Sequence, residues 1–559
     1  MSLYTEHAAF ARWRTGRFGG RGMVSTYWQE VLRRDPELRS LAVCVELVFG
    51  GDTVVRVASR TVNTTSKLTG VRQQWVGLLN DAIAITLEYQ LGNPSSSAKT
   101  LQVTLPNELV DCAGLIKVGR MLAGIAEVSL NVEDGDYDQR LVLIRGDIDG
   151  GVQFGALREL VSCSVTDPSG SADVQLPPYV LTTERFPTLP DETAGQRIPV
   201  VLPEFAAIPA LLVFSSTSVP KYAVCHDHLT IDTVYVDGTA YASSSTFYPW
   251  AQSHEVDDLG EPYTRLDFTG GTAGFSGDEA VYVAVSGGPS NGVPTNIARE
   301  LVQRYTVLGR AGANAGLFAE AEAKLGGSMT ARCAANASGA SNTTTLAFIE
   351  GELLASFPMV SMVWEGGGYG PIVTDRRGAP VAELTVGQWP LLNRATLVTE
   401  SAKADLYNTF TVQYGYDPLT DTYTGVAQRS PTNSTLCAIS RAMVGDRQAD
   451  VVESLWITKQ AVAEAVVDWL VEHTSLPSYR VDYTTSTWVL LHLQRGDTVL
   501  LNDTEFGWSK QRATVESITY TPASCVLGLR VWARYYDLGG GSSTQGSTSG
   551  TAAPGGGGQ

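Results

Sequence analysis

The stretch Thr487-Trp-Val-Leu-Leu-His-Leu-Gln-Arg-Gly-Asp-Thr-Val-Leu-Leu-Asn-Asp503 decides how the C-terminal part of this 559-residue chain folds. Two further runs rich in β-branched and aromatic residues follow it, Arg512 to Tyr520 and Ser524 to Trp532. Such residues favour strands. Gly-Asp and Asn-Asp pairs supply the turn residues between the runs. The stretch therefore predicts a compact antiparallel barrel or sandwich.

The N-terminal third shows the same strand chemistry. Two apolar runs, Leu41 to Phe49 and Thr53 to Ser59, are joined by Gly-Gly-Asp, which predicts a hairpin because glycine accepts the positive φ angles of a tight turn. Further strands are predicted at Ala82 to Leu91, Leu101 to Leu105, Ala126 to Val132, Arg140 to Arg145 and Leu160 to Thr166.

The middle of the chain changes period. Ile297, Leu301 and Tyr305 recur at helical spacing, with Thr295 as the expected N-cap. Further helices are predicted at Ala315 to Leu325, Thr345 to Phe357 and Val451 to Ser475, with strands at Ile231 to Val236, Leu266 to Phe268, Ala280 to Val285 and Leu406 to Tyr414 and a hairpin at Met362 to Val373. The prolines of Glu184 to Pro203 predict an extended segment on a surface.

Several phrases in this order resemble phage tail-tip, or baseplate hub, proteins of long-tailed bacteriophages and gene transfer agents. These are the C-terminal stretch, the phrase Phe186-Pro with Gly195-Gln-Arg-Ile-Pro-Val-Val201, the strand ending Val234-Tyr-Val-Asp-Gly238, and the hairpin from Trp364 to Val373. Hub proteins usually continue Ile-Pro-Val-Val with Tyr-Gly, whereas Leu202-Pro203 stands here. The expected fold is mainly β with an α+β insert, built from several β-barrel or sandwich domains.

The resemblance, together with the strand pattern, implies a division of the chain. The expected parts are an N-terminal arm (1–40), a first hub β-barrel (41–180), an extended Pro-rich segment with a β domain (181–290), an α+β insert (291–400), a helix with the second hub β-barrel (401–537) and a flexible Gly/Ser-rich tail (538–559). The arm is locally basic, which suggests a segment that docks on an acidic neighbour or a solvated arm.

The resemblance also implies a role. It predicts a non-enzymatic virion protein, made in the host cytoplasm, that closes the end of the tail tube as a homotrimer. Its expected partners are the distal tail protein, other tail-tip subunits, a tail fibre or spike, and the tape measure protein. Two alternatives stay open: a receptor- or carbohydrate-binding tail protein that displays Phe247, Tyr248 and Trp250 on a loop, and a cell-wall hydrolase.

Composition limits the partners. The net charge of −18 repels nucleic acid and supplies no counterion release, so sequence-specific nucleic-acid binding is not expected. The sequence contains no apolar run of membrane-spanning length and no secretory signal at its start, so membrane insertion is not expected. The seven cysteines stand far apart without a Cys-x-x-Cys pair, which predicts buried thiols.

Three motifs have the composition of possible functional sites. His226 and His228, with Asp227 and Asp232, have the chemistry of metal ligands, and two positions apart on a predicted strand the two imidazoles would share one face. A third ligand is not obvious, since His254-Glu255 is the only candidate, so structural hydrogen bonding is favoured over metal binding. Ser290 lies in a Gly-x-Ser-x-Gly match that Pro294 separates from the next helix, which predicts a linker. Arg145-Gly-Asp147 and Arg495-Gly-Asp497 form an echo between the two predicted barrels, by repeat or by coincidence. No catalytic residue, metal site or cofactor is predicted.

Overall fold

The structure is a computed structural model. It describes residues 27, 31, 41–49, 53–79, 85–88, 100–106, 124–154, 160–166, 173–270, 275, 279–327, 329–335, 343–365, 368–376, 378–387, 393–396, 399–485, 493–520 and 525–532. Most of the arm, the whole C-terminal tail, Cys112, and the predicted strand beginning at Thr487 lie outside these residues.

The N-terminal third forms strands almost throughout. Its strands are β1 (Leu41–Phe49), β2 (Thr53–Ala58), β3 (Val62–Thr65), β4 (Arg72–Gly77), β5 (Ile85–Glu88), β6 (Thr100–Pro106), β7 (Gly124–Val132), β8 (Gly135–Asp136), β9 (Leu141–Phe154) and β10 (Leu160–Thr166). All except β5 form one sheet in the order β6-β10-β9-β7-β1-β2-β4-β3-β8, which we call the first sheet. The predicted hairpin is confirmed, since β1 and β2 pair antiparallel from Cys44 with Ala58 to Phe49 with Thr53.

A separate group of strands follows, which we call the β lobe (173–286). Its strands are β11 (Gln175–Leu176), β12 (Val200–Leu202), β13 (Phe205–Pro209), β14 (Leu211–Phe214), β15 (Lys221–His226), β16 (Thr230–Val236), β17 (Thr239–Tyr241), β18 (Trp250–Val256), β19 (Pro262–Phe268) and β20 (Val281–Ser286). The eight strands from β13 to β20 build two four-stranded sheets, β13-β20-β16-β17 and β14-β15-β19-β18, whereas β11 and β12 pair with strands of the insert described below.

The prediction that the proline-rich segment is extended on a surface was wrong in both halves. The first half forms turns, such as the one closed by the N–H of Leu189 on the backbone oxygen of Phe186, and both of these side chains are buried. In the second half, Ile198, Val200, Val201 and Leu202 are at most 2% exposed, and β12 pairs with a strand of the insert. The apolar residues there are buried between the lobe and the helices that follow. The free energy gained by removing their side chains from water outweighs the conformational restriction that the flanking prolines impose.

The insert contains helices and one hairpin. Its elements are α1 (Pro294–Tyr305), α2 (Gly309–Gly312), α3 (Ala315–Leu325), β21 (Cys333–Ala335), β22 (Thr343–Thr344), α4 (Thr345–Phe348), β23 (Val360–Glu365) and β24 (Gly368–Val373). The N-cap of α1 is Val293 and not Thr295, since Pro294 takes the first helical position, where its missing N–H costs nothing. The helix predicted from Thr345 continues past α4 only as a π-turn and a 3-10 turn.

The last part of the chain returns to strands around one long helix. Its elements are β25 (Ala382–Thr385), β26 (Asn393–Arg394), β27 (Thr399–Glu400), β28 (Phe410–Asp417), β29 (Thr422–Arg429), α5 (Thr435–Val444), β30 (Val452–Glu453), α6 (Gln460–Thr474), β31 (Ser478–Thr485), β32 (Thr498–Asp503), β33 (Trp508–Tyr520) and β34 (Cys525–Trp532). The order β25-β32-β33-β34-β31-β26 defines the last sheet, to which β5 adds against β33 and β27 against β31.

The prediction of a helix from Val451 was wrong at its beginning. Val452 and Glu453 pair in parallel with Val412 and Gln413 of β28, and α6 starts only at Gln460. The pairing gives hydrogen-bond partners to backbone groups at the edge of β28, such as the Gln413 carbonyl, which accepts the N–H of Ser454 at 3.0 Å.

Two large apolar cores organise the molecule. One runs without a break from the first sheet into the last, joining residues such as Val45 and Leu130 to Val515 and Leu529. The other joins the β lobe, the helices and the sheet β29-β28-β30. The chain is therefore mainly β, with helices in the insert and in the region before the last sheet, as the sequence predicted.

Two smaller observations complete the fold. The five described cysteines whose side chains are placed, Cys44, Cys225, Cys333, Cys437 and Cys525, are buried free thiols. Within the described ranges, no helix combines the length and apolarity needed to cross a membrane.

Candidate functional site: a hairpin between two sheets

The hairpin of β23 and β24 is buried along its whole length. All six residues of each strand are buried, including Trp364 at 5% and Tyr369 at 0% exposure. An isolated two-stranded hairpin is marginally stable in water and exposes both faces. This hairpin is therefore held by its neighbours, and Gly370 allows α3 to approach, since a Cβ there would stand 2.9 Å from Cβ of Leu317.

The hairpin makes a directed contact with the first sheet. The indole Nε1 of Trp364 donates a hydrogen bond to the backbone oxygen of Arg145, at 3.1 Å. Arg145 belongs to β9, where Gly146 pairs with Ala126 of β7. A buried indole N–H normally needs an acceptor, so this bond fixes the hairpin against one strand of the first sheet.

The opposite contact is a buried ion pair with the last sheet. The guanidinium Nη2 of Arg495 lies 2.7 Å from the Glu365 carboxylate, and the two side chains are 1% and 11% exposed. The same Nη2 donates to the backbone oxygen of Trp364 at 3.4 Å. An ion pair removed from water in this way is costly to break from one side only.

Gly496 brings the turn of the last sheet against the hairpin. Its φ is +82°, and a Cβ at this position would stand inside van der Waals contact of Cγ2 of Ile372 in β24. Its N–H donates to the backbone oxygen of Val515 at 2.8 Å. Both the backbone conformation and the close approach require glycine here.

Asp497 completes the turn as a buried carboxyl. It is 6% exposed, accepts the N–H of Gln494 at 2.7 Å and lies 3.9 Å from the Lys324 ammonium of α3. Burial raises the pKa of the Asp497 carboxyl to about 6, against the opposing effect of Lys324. The folded state therefore binds this proton more tightly than the unfolded chain.

The pKa of Asp497 predicts a pH dependence of stability. Because its folded pKa of about 6 exceeds its ordinary 3.8, the contribution is fully present below pH 3.8 and is lost as the pH rises through 6. The loss is on the order of 2–3 kcal/mol. We expect Asp497→Asn to remove this component of the free energy of unfolding between pH 4 and 7.

The measurement is chemical unfolding of wild type and variant at several pH values. Asp446→Asn, which removes the same charge from a side chain that is 86% exposed, is the control and should keep the wild-type profile. Equal pH profiles for wild type and Asp497→Asn would contradict the assignment.

The two Arg-Gly-Asp triplets thus meet one hairpin from different local structures. Arg145-Gly-Asp147 lies inside β9, whereas Arg495-Gly-Asp497 forms the turn before β32. The echo therefore does not mark a repeated local structure. The sequence singled out both triplets and the hairpin but did not predict that the triplets contact the hairpin. It also did not single out Glu365, Ile372 or Lys324, which contribute to these contacts. The triplet itself gave no usable signal, because Gly146 lies within a strand whereas Gly496 forms a turn with φ +82°.

The predicted histidine pair does not come together. β15 ends at His226, and Asp227 turns the chain with φ +73°, so the expectation that both imidazoles share one strand face was wrong. His226 is buried, whereas the ring of His228 lies 4.9 Å from that of His254 and 3.3 Å from the backbone oxygen of Glu255. Among the residues that the structure places, no group of three or more potential metal ligands forms.

Ser290 lies in a turn, away from any helix start. Its hydroxyl accepts the N–H of Gly292 at 3.2 Å, and α1 begins only at Pro294. A nucleophile elbow places the serine where a strand turns directly into a helix. The geometry fits the predicted linker.

The aromatic loop of the alternative prediction is mostly turned inward. Phe247 is 59% exposed, but Tyr248 packs against Tyr241 and Phe275 with ring centroids 5.0 Å apart in each case. The indole of Trp250 donates to the backbone oxygen of Tyr241 at 2.9 Å. The prediction that these three aromatic residues form one exposed binding surface is therefore wrong.

No protein-family model and no curated protein sequence matches the chain. Solved structures do resemble it, among them two tail proteins and a chain of a gene transfer agent virion. A tail protein from Neisseria meningitidis MC58 is 10% identical, covers 88% of this chain and 97% of its own, with a TM-score of 0.37. The 43 kDa tail protein of prophage MuSo2 from Shewanella oneidensis is 11% identical, covering 87% and 98%, with a TM-score of 0.33. A chain of a gene transfer agent virion is 12% identical, covering 46% and 84%, with a TM-score of 0.19.

Proposed function

We propose that this chain is a structural subunit of a phage tail tip, a baseplate hub whose two large sheets are locked together by the β23–β24 hairpin. The observation that carries the proposal is the hairpin itself. Trp364 binds β9 on one side, and Arg495 binds Glu365 on the other. A subunit that transmits force between neighbouring proteins needs its parts held in one fixed arrangement.

The shared apolar core supports the same role. The first and last sheets face one continuous core, so a load on either sheet is carried by buried side chains as well as by the hairpin. In the hub proteins that the sequence resembles, two related barrels alternate around a trimer. We infer that the two sheets fill these positions, in a homotrimer that closes the tail tube.

The proposed role requires protein partners and involves no catalysis. The distal tail protein and other tail-tip subunits would contact the ring, the fibre or spike would extend from it, and the tape measure protein would end at it. The net charge of −18 suits a surface along which DNA slides without binding. We propose no enzymatic activity, no cofactor and a location in the virion. The residue limits of the six parts remain a proposal.

The experiment is the mass of the purified full-length chain in solution, read by mass photometry at micromolar and nanomolar concentrations. The proposal predicts a species of three copies that persists on dilution and does not release sugar or peptide from purified cell walls. A monomer that degrades cell walls would replace it with the hydrolase alternative. A monomer that binds intact host envelopes would replace it with the receptor-binding alternative.

A further inference from the structure

His226 occupies the junction between the β lobe and the insert. It is the last residue of β15, and its side chain is 5% exposed. Its backbone N–H donates to the backbone oxygen of Pro199 at 2.8 Å. Its ring stacks on Tyr179 with centroids 4.2 Å apart and an angle of 16°. The imidazole is thus enclosed by lobe segments that precede and follow it in the chain.

The imidazole nitrogens face different groups. Nδ1 lies 2.9 Å from the hydroxyl of Tyr305, the last residue of α1, and 3.8 Å from the Asp227 carboxylate. Nε2 lies 3.8 Å from the Glu261 carboxylate and has no hydrogen-bond partner among the described residues. A neutral ring satisfies this arrangement when the Tyr305 hydroxyl donates to Nδ1 and the N–H is on Nε2, directed towards Glu261.

A second contact reinforces the junction from the surface. The guanidinium of Arg304, next to Tyr305 on α1, pairs with the Asp227 carboxylate at 2.6 Å. Asp227 reaches it from a left-handed backbone conformation, φ +73°. Two adjacent side chains at the end of α1 therefore hold the turn after β15. Tyr305 contacts the imidazole of His226, and Arg304 pairs with the carboxylate of Asp227.

We propose that His226 is a proton-sensitive latch that holds the β lobe on the insert while the imidazole is neutral and loosens it when the imidazole is protonated. The protonated ring carries N–H on both nitrogens and no longer accepts the Tyr305 hydroxyl proton. That hydroxyl must then turn, and a positive charge is enclosed beside α1.

The surrounding charges act in both directions. Asp227 and Glu261 favour the protonated ring, whereas burial and Arg304 oppose it, and burial dominates, so the pKa of His226 is lowered from its ordinary 6.5. Burial raises the pKa of the neighbouring groups Tyr179, Tyr263, Tyr305 and Cys225, which stay neutral near pH 6.

The direction of the pH effect follows from the lowered pKa. The undocked form binds the proton more readily than the docked form, so the contribution of His226 to docking is fully present above pH 6.5 and is lost as the pH falls through the pKa of the docked imidazole. The contact between the β lobe and the insert at His226 is thus tightest at neutral pH and loosens in acid.

The test uses the full-length protein and two exchange measurements. Histidine C2-deuterium exchange, followed by mass spectrometry, should give His226 a pKa below 6.5 and slow exchange compared with exposed His228. Amide exchange, corrected for intrinsic pH dependence, should rise several-fold in peptides of α1 and β15 between pH 7.5 and 5.0, while peptides of the first sheet stay unchanged.

The matched variants are His226→Asn and His228→Asn. Asn at 226 keeps an acceptor near Nδ1 but cannot be protonated, so the pH-dependent rise in exchange should disappear, whereas His228→Asn should keep it. A wild-type His226 pKa at or above 6.5, or equal protection of α1 at both pH values, would overturn the proposal. So would a pH response that survives in His226→Asn. Each of these outcomes is independent of whether the chain assembles into a trimer.

Discussion

Gly496→Ala is expected to lower the free energy of unfolding by about 2–5 kcal/mol. The left-handed backbone costs a residue with a Cβ about 1–2 kcal/mol, and forcing that Cβ into Ile372 adds about 1–3 kcal/mol of overpacking. Ile372 is 4% exposed and β-branched, so it has little room to move away. The quantity to measure is the midpoint and slope of chemical unfolding.

The chain offers a matched control for this substitution. Gly507 also has a left-handed conformation, φ +65°, in the same sheet, but a Cβ there would meet nothing within 4 Å. Gly507→Ala should therefore show the backbone cost alone. Equal destabilisation by both substitutions would contradict the close approach of Gly496 to Ile372.

Arg495→Met should destabilise the protein by about 3–5 kcal/mol, because it removes the guanidinium that the Glu365 carboxylate faces in a water-excluded site. Replacing both partners is expected to be far milder, since apolar groups of similar volume avoid the desolvation of two charges. We therefore expect Glu365→Leu combined with Arg495→Met to recover most of the stability that Arg495→Met loses.

The control is an ion pair of similar length at the surface. Arg429 pairs with Asp468 at 2.7 Å, but the two side chains are 25% and 52% exposed. Solvent screening limits such a pair to about 0–1 kcal/mol, so Arg429→Met should change stability little. A double replacement at 365 and 495 that is no more stable than Arg495→Met would show that the guanidinium acts through other contacts than the carboxylate.

Local patterns predicted most strands and the start of the insert. Leu41 to Phe49 and Leu160 to Thr166 form strands with the predicted limits, and Ala315 to Leu325 forms the predicted helix. These stretches carry β-branched runs or a clear helical period, so their local preference agrees with their tertiary surroundings.

Partner choice between distant strands was not predictable from such patterns. The strand predicted near Ala82 has its described part, β5, paired with β33 of the last sheet, more than 400 positions later. Likewise Val451 continues an apolar helical pattern, yet the next two residues add to β28 as a parallel strand. In both cases the structure of the segment is determined by its pairing with a distant strand, and the local sequence does not indicate which strand that is.

The candidate site could be predicted only in pieces. The sequence singled out the Trp364 hairpin and both Arg-Gly-Asp triplets, but the carboxylate of Glu365 looked like any other in an acidic chain. The contact of Glu365 with Arg495 joins segments 130 residues apart. It depends on how distant parts of the chain pack together, which local sequence spacing does not encode. For His226, the sequence analysis placed both histidines on one strand but could not show that Asp227 ends the strand with a positive φ.

The most direct test of the account is a cryo-electron microscopy reconstruction of a tail that contains this chain. We expect three copies around the axis at the end of the tube, with the first and last sheets alternating in one ring and Trp364 and Arg495 inside each subunit. A single copy off the axis, or sheets separated from each other with the hairpin exposed between them, would contradict it.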